Sequence, residues 1–414
     1  MRSLTDTASR RGSRAARRDP SDAARVPAKV ASARRPFASA NATKRAVVAG
    51  LVLINLCAGF GPATRAQAAK SSAVAAYKAP RNGWGQPDLQ GAWSNSTLTY
   101  ISRPKTYGER NAYTPAEVKE IEGHAAAQAE LGDKPTNPNA PAPKADANAD
   151  VGGYNRGWLD PGLQIMRVRG QPRISVITTG DGRPPLPKAG AQISEKAAKE
   201  LRKARETTPH GYIVSEEGIV SAGGAVNDPT DNPEDRALGE RCLTSFGRNA
   251  PPPMFPNGSY NNNYQIVQGR DVVAIDVEMV HDVRIVRLND RTHPPANIRP
   301  WHGDSVGWYE GDTLVVETTN LPEIQGLYGA WKNLKVTERF RRIGKDRLGY
   351  QFIVEDPTVW DKPWGGEYEF SALNGRLYEY ACHEGNYALP GMLAGTRAQD
   401  AEKAAAAKKA SPGG

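Results

Sequence analysis

Cysteine is scarce in this chain, three residues in 414, and none stands in a Cys-x-x-Cys pair. That excludes a cysteine-dense secreted scaffold and a thiolate zinc knuckle. The six histidines show no His-x-His or His-x-x-His spacing, so no metal site is expected. Glycine-rich phosphate loops, dinucleotide fingerprints and haem-attachment motifs are also missing, and the chain is read as working without a cofactor. Nor does any apolar run reach the roughly twenty residues that span a bilayer. Charge of one sign is in excess only at the start. Residues 1–68 hold thirteen of the 54 Lys and Arg against three of the 45 acids, a net of +10, which leaves the remaining 346 residues near −1. A nucleic-acid partner therefore has no electrostatic support. Glycine and proline, 41 and 32 residues, are too frequent for a helical bundle and favour short elements joined by turns.

What is present begins with a basic stretch ending at Lys44-Arg45, then the apolar run from Ala46 to Phe60, then Ala66-Gln67-Ala68. That order reads as a signal peptide with a long basic leader over 1–68, cleaved after Ala68, which implies a periplasmic or secreted protein without a stable membrane anchor. Arg34-Arg35-Pro36-Phe37 resembles a fragment of a twin-arginine export signal, although arginine pairs also stand at 10–11 and 17–18. Cleavage removes Cys57. Cys242 and Cys382 are then expected to form one disulfide, which in the chain-entropy view is worth up to about 4–5 kcal/mol. The rival role for Cys382, a catalytic thiol beside His383 and Glu384, needs a reduced cysteine.

After a polar arm at 69–83, Gln86 to Ser94 reads as a turn entering a strand that runs through Thr99. Thr114-Pro115-Ala116-Glu117 has an N-cap, a proline at the first helical position and a glutamate at the third, so a helix is expected to about Leu131. Residues 132–150 read as a proline-rich linker inside an N-terminal α/β, loop-rich region, 69–262. A strand pair is expected over Leu163–Val168 and Arg173–Thr179, and Ser194 caps a second helix to about Glu206. From 263 to 395 the pattern is strand after strand, from Tyr264–Val267 through Leu377–Cys382, joined by short turns such as Glu310-Gly311-Asp312. With no crossover helix in this stretch, parallel pairing is nearly excluded. The expected fold is mainly β: an antiparallel up-and-down barrel of lipocalin or calycin type, or a strongly curved sheet, with N-terminal helices and long loops. Residues 396–414 read as a disordered tail.

Ionisable residues gather at strand ends. Asp276 and Glu278 share one strand face and lead to His281 and Asp282, with Arg284 on the next strand. The alternative is a solvated face with ordinary salt bridges. Glu338 lies on the apolar side of its strand with Val336 and Phe340, so it either holds a structural ion pair, with Arg284 the suggested partner, or faces a pocket. The loop from His293 to Ser305 adds Arg299, Trp301, His302 and Asp304, where Asp304 could orient a histidine acting as base. Gly303-Asp304-Ser305-Val306-Gly307 spells Gly-x-Ser-x-Gly but leads into strands, which argues against an α/β-hydrolase. If Cys382 is disulfide-bonded, His383 and Glu384 are held near Cys242, with Glu240 and Arg241 close by. Five of the eight tryptophans follow residue 300, and a cluster at a barrel mouth would suit an aromatic, isoprenoid or sugar ligand.

Pro87-Asp88-Leu89-Gln90-Gly91-Ala92-Trp93, Tyr260 to Val267, His281-Asp282-Val283-Arg284-Ile285, Gly303-Asp304-Ser305, Glu310 to Asn320, Glu338-Arg339-Phe340 and Cys382 to Tyr387 resemble a large uncharacterised family of exported bacterial proteins. The resemblance covers most of 84–395 and implies a shared fold without supplying a reaction. In similar sequences the position of His302 often holds another residue, which lowers the weight on it. Gly91-Ala92-Trp93 is also similar to the Gly-x-Trp of lipocalin-type barrels, which would imply a ligand in the barrel. The resulting expectation is a cofactor-independent enzyme acting on a small organic substrate. His281, Asp282, His383 and Glu384 are its acid-base candidates, with Arg284, Arg299, Trp301, Asp304 and Glu338 binding substrate. The alternative is a non-catalytic small-molecule-binding barrel.

Overall fold

Alternation of apolar and polar side chains lets each strand after Asn262 bury one face, and the sheet so formed closes on itself. The computed structural model describes residues 77–135, 139, 162–193, 197–198, 212–215, 218–221, 231–236, 238–245, 247–256 and 262–410. The leader, most of the linker and most of the Ser194–Glu206 helix lie outside the described residues.

Strand β1 is Gly91–Ser94. Two small hairpins follow, β2 (Arg167–Val168) with β3 (Gln171–Pro172), and β4 (Tyr212–Ser215) with β5 (Gly218–Ser221). The barrel continues with β6 (Asn263–Gln268), β7 (Val272–Val277), β8 (Asp282–Arg287) and β9 (Asp304–Glu310). It is completed by β10 (Thr313–Thr319), β11 (Lys335–Gly344), β12 (Arg347–Glu355) and β13 (Trp364–Ala372). Its order is β1-β13-β12-β11-β10-β9-β8-β7-β6, closed by β1 against β6.

A ring of nine strands cannot alternate direction all the way round, so one pair must be parallel. That pair is β8 and β9, with Val286 opposite Ser305 and Arg287 opposite Val306. The expectation of a wholly antiparallel sheet is corrected on this point. No helix makes the crossover; the long loop 288–303 carries the chain back to the end where β8 began. Leu377–Cys382 is not a strand either. The place beside β13 is taken by β1, with Trp93 opposite Ala372, so no edge is left to pair. The barrel thus draws one strand from the N-terminal region and is not confined to 263–395.

The bore is filled. Tyr264, Phe340, Tyr350, Tyr368 and Phe370 point inward and are almost wholly buried. The segment 247–256 inserts among them: the Met254 N–H donates to the Tyr350 hydroxyl at 2.9 Å, the Tyr368 hydroxyl donates to the Met254 carbonyl at 3.0 Å, and Phe255 packs edge-on against Phe352 at 5.5 Å. Arg248, buried in the same segment, donates to the carbonyls of Gln325 and Gly326 at 2.9 and 3.1 Å. Burial pulls its pKa down to about 10.

Outside the barrel, α1 (Pro115–Gly132) starts where its capping box dictates, with Thr114 as N-cap. Arg110 first, and then Thr114, hold the Glu117 carboxyl at about 2. Val118 and Ile121 pack against Tyr113, Ile165 and Ile174. Helix α2 spans Ala388–Ala410, where a frayed tail was expected from 396. Alanine and lysine have the helix propensity to carry it, and Lys408 and Lys409 complement the dipole in its last turn.

Candidate functional site

The residues singled out from sequence divide into three places: the bore, the crossover loop and the end of the barrel where β8 begins.

Arg284 and Glu338 meet in the bore at 2% and 0% side-chain exposure. The pair is bidentate, with Arg284 Nη2 donating to Glu338 Oε1 at 3.0 Å and Nη1 to Oε2. The Tyr350 hydroxyl donates to Oε1 at 2.8 Å. Burial alone would lower the Arg284 pKa, but the Glu338 charge beside it outweighs that and raises it. Burial, then the Glu338 charge, push the Tyr350 pKa well up. With both carboxylate oxygens bonded and the bore packed, the pair holds β8 to β11, and Arg284 Nε is left buried without a hydrogen-bond partner.

On the crossover loop, His293 Nδ1 lies 2.6 Å from Asp304 Oδ2 and its Nε2 lies 3.4 Å from Glu317 Oε1. Asp304 also receives Arg287 Nη2 at 2.8 Å. Both ring nitrogens of His293 are engaged, so this group fastens the loop to β9 and β10. Arg299 likewise fastens the loop: it donates to the carbonyls of Leu321 at 2.6 Å and Lys332 at 2.9 Å, and lies over Trp331. Ser305 is buried, with its hydroxyl 2.8 Å from that of Thr318.

At the barrel end the arrangement differs. His302 Nε2 lies 3.3 Å from Asp282 Oδ1, with 11% and 17% side-chain exposure. Thr244 donates its hydroxyl to Asp282 Oδ2 at 3.2 Å. His302 Nδ1 is buried and has no hydrogen-bond partner. The Cys242–Cys382 disulfide, closing a 140-residue separation, lies two residues from Thr244, and Asn386 Nδ2 donates to the Glu240 carbonyl at 2.7 Å. Behind Asp282, the carboxylates of Asp276 and Glu278 stand close. Burial, then Glu278 and Asp282, raise the Asp276 pKa against the opposing pull of His281. Glu278 accepts from the Asn263 amide at 3.2 Å and from Tyr378 N–H at 3.2 Å. Val280 and His281 both have left-handed backbone, at φ 63° and 46°, a conformation that valine rarely adopts.

Asp282 is therefore at a polar cluster, but its histidine is His302, a residue given little weight from sequence. His281, His383 and Glu384 are exposed, and no side-chain hydrogen bond or ion pair joins any of them to Asp282 among the described residues. The signal that could have found His302 is the parallel β8–β9 register, which sets the residues before Ser305 alongside the start of β8. Trp301 is 39% exposed. The late tryptophans do not gather at one mouth: Trp360 and Trp364 pack together at 5.6 Å, whereas Trp308 pairs with Arg291 on the outer wall. No group of histidine, cysteine and carboxylate side chains among the described residues could hold a metal ion, and no described helix is long and apolar enough to cross a membrane.

The fold and site define a class: a mainly β, closed mixed barrel of nine strands, plugged by its own chain and stapled by a disulfide suited to an oxidising compartment. No protein-family model matches the chain, and no curated protein matches it.

Proposed function

We propose that this is an exported, periplasmic enzyme that uses Asp282 and His302 as an oriented acid-base pair on a small organic substrate. One observation carries the reading: among the histidine–carboxylate pairs of the described residues, His302 alone keeps a ring nitrogen without a partner. Asp282 Oδ1 lies 3.3 Å from Nε2, so a proton carried on Nε2 faces the carboxylate and the Nδ1 lone pair is left as the proton acceptor. Thr244 holds the other carboxylate oxygen, and the disulfide holds Thr244. Nδ1 is closed to solvent, so catalysis requires the cover over Nδ1 to open while Nε2 stays beside Asp282. The pair then takes a proton from the substrate, or from a water attacking it, and returns it to the leaving group. The signal-peptide pattern, the disulfide and the resemblance to exported bacterial proteins support the location.

The bore is occupied by inward aromatic side chains and by the 247–256 segment, which does not favour the alternative of a ligand held inside the barrel. The test is incubation of the secreted protein with small-molecule extract of its own periplasm, followed by mass spectrometry. The wild type should deplete a compound and form a product, and Asp282→Asn and His302→Gln should each slow this by about 10²–10⁴. Conversion unchanged in both variants, or no conversion by the wild type, would overturn the reading.

A further inference from the structure

We propose that the outer wall of β11, β12 and β13 is a binding trough for sugar acids, with the carboxylate at Arg341. Register sets three rows across this wall: Thr337–Ile353–Gly365, Arg339–Gln351–Glu367 and Arg341–Gly349–Glu369. Two cavities lie along them, of about 540 and 250 Å³, and they share Arg339, Gln351 and Glu367, so they form one continuous depression. Its rims are Thr178 and Thr179 at one end and the turn of the β2–β3 hairpin, Val168 and Arg169, at the other.

The two glycines that stand in these rows, Gly365 and Gly349, have different causes. A Cβ at Gly365 would stand 2.1 Å from the Phe352 carbonyl oxygen, so the fold itself demands glycine there. At Gly349 the nearest atoms to an added Cβ are Ile343 Cγ2 at 3.4 Å and the Arg341 carbonyl at 3.5 Å, which is ordinary contact. Neither backbone nor packing requires glycine at this point inside the strand, where it is less stable than alanine. What its bare Cα does is keep the floor open opposite Arg341, the kind of position at which a ligand approaches the sheet closely.

Charge on the wall points the same way. Arg339 is bonded to Glu310 at 2.7 Å, Arg169 to Glu367 at 2.8 Å and Arg173 to Glu367 at 3.4 Å, and Arg347 holds Glu369. Every carboxylate of the floor thus already has an arginine. Arg341 has no ion-pair or hydrogen-bond partner among the described residues and lines the smaller cavity. An incoming carboxylate meets this free guanidinium, which binds it bidentately. The rest of the trough alternates hydrogen-bonding groups, Thr337 and Gln351, with the exposed apolar faces of Ile353 and Ile343, 43% and 37% exposed. That mixture suits a ring with hydroxyls at its edge and C–H groups on its face. The trough uses none of the residues of the proposed acid-base pair, and its test is independent of that reading.

The experiment is isothermal titration of the full secreted protein with trigalacturonate, maltotriose and inorganic phosphate. Trigalacturonate should bind, and the neutral maltotriose and bare phosphate at least about tenfold more weakly, since each lacks one half of the recognition. Arg341→Ala should weaken trigalacturonate about tenfold or more, the loss of one charge-assisted contact. Gly349→Leu should abolish binding, and Gly349→Ala, which the packing accommodates, should weaken it with no loss of stability in the unfolding curve. Absence of binding, equal affinity for maltotriose or phosphate, or an Arg341→Ala variant as tight as wild type would overturn the proposal. So would a change of oligomeric state in Gly349→Ala, which would make the wall an interface between copies.

Discussion

Glu338 and Asp282 are two carboxylates placed by strand alternation, one in the bore and one at the barrel end, and they differ in how completely the fold has used them. Glu338 is wholly buried, paired in bidentate fashion with Arg284 and bonded again by Tyr350. Asp282 is less enclosed, bonded by Thr244 and adjacent to a histidine whose second nitrogen has no partner. Saturation marks a structural group, and an oriented partner with a free lone pair marks a group available for chemistry.

The comparison breaks most visibly in the bore. Glu338→Ala leaves Arg284 charged, buried and unpaired, and should cost about 3–5 kcal/mol in chemical denaturation. The double change Glu338→Leu with Arg284→Met should recover most of that loss, because the desolvation of two charges is removed together. Loss of less than about 1 kcal/mol in Glu338→Ala would show that the pair is not buried in solution.

The disulfide comes next. Cys242→Ser with Cys382→Ser should cost about 2–4 kcal/mol by the same denaturation measurement. It should also loosen Thr244 beside Asp282, so turnover should fall more than in a control destabilised equally at α1.

At the barrel end the two histidines separate the roles. His302→Gln should remove activity and leave stability within about 0.5–1 kcal/mol, whereas His293→Gln should cost about 1 kcal/mol and spare most activity, since His293 fastens the crossover loop. Reversed effects would transfer the acid-base role to the His293–Asp304 pair.

The smallest effect concerns Asp276, whose pKa is raised by burial, Glu278 and Asp282. A carboxyl whose folded pKa is raised favours its neutral form, so its charge destabilises the fold once pH rises through that value. Asp276→Asn should therefore stabilise at pH 7, by less than about 1 kcal/mol given its partial exposure. The gain should vanish below the ordinary carboxylate value of 3.8, and thermal unfolding at both pH values measures it.

Much of the bore was legible in the sequence. Alternation in Val336-Thr337-Glu338-Arg339-Phe340 put Glu338 on the apolar face and called for a cation, and Arg284 supplies it. The disulfide followed from two thiols and an export pattern. The site was less legible for three physical reasons. β1 closes the ring from far away in sequence, and no local pattern announces that Gly91–Ser94 sits between β6 and β13. The inserted segment 247–256 is rich in proline and has no periodicity, yet it fills the bore. Above all, the parallel β8–β9 pair, forced by the odd strand number, sets His302 beside Asp282, where adjacency in sequence had suggested His281.

The most direct test is ¹⁵N NMR of the histidine rings at a pH above about 7.5, where a free imidazole is neutral. The account predicts His302 as the Nε2–H tautomer, with Nδ1 unprotonated and with the Nε2–H signal perturbed by Asp282→Asn. A proton found on Nδ1, or a His302 ring indifferent to Asp282→Asn, would contradict it.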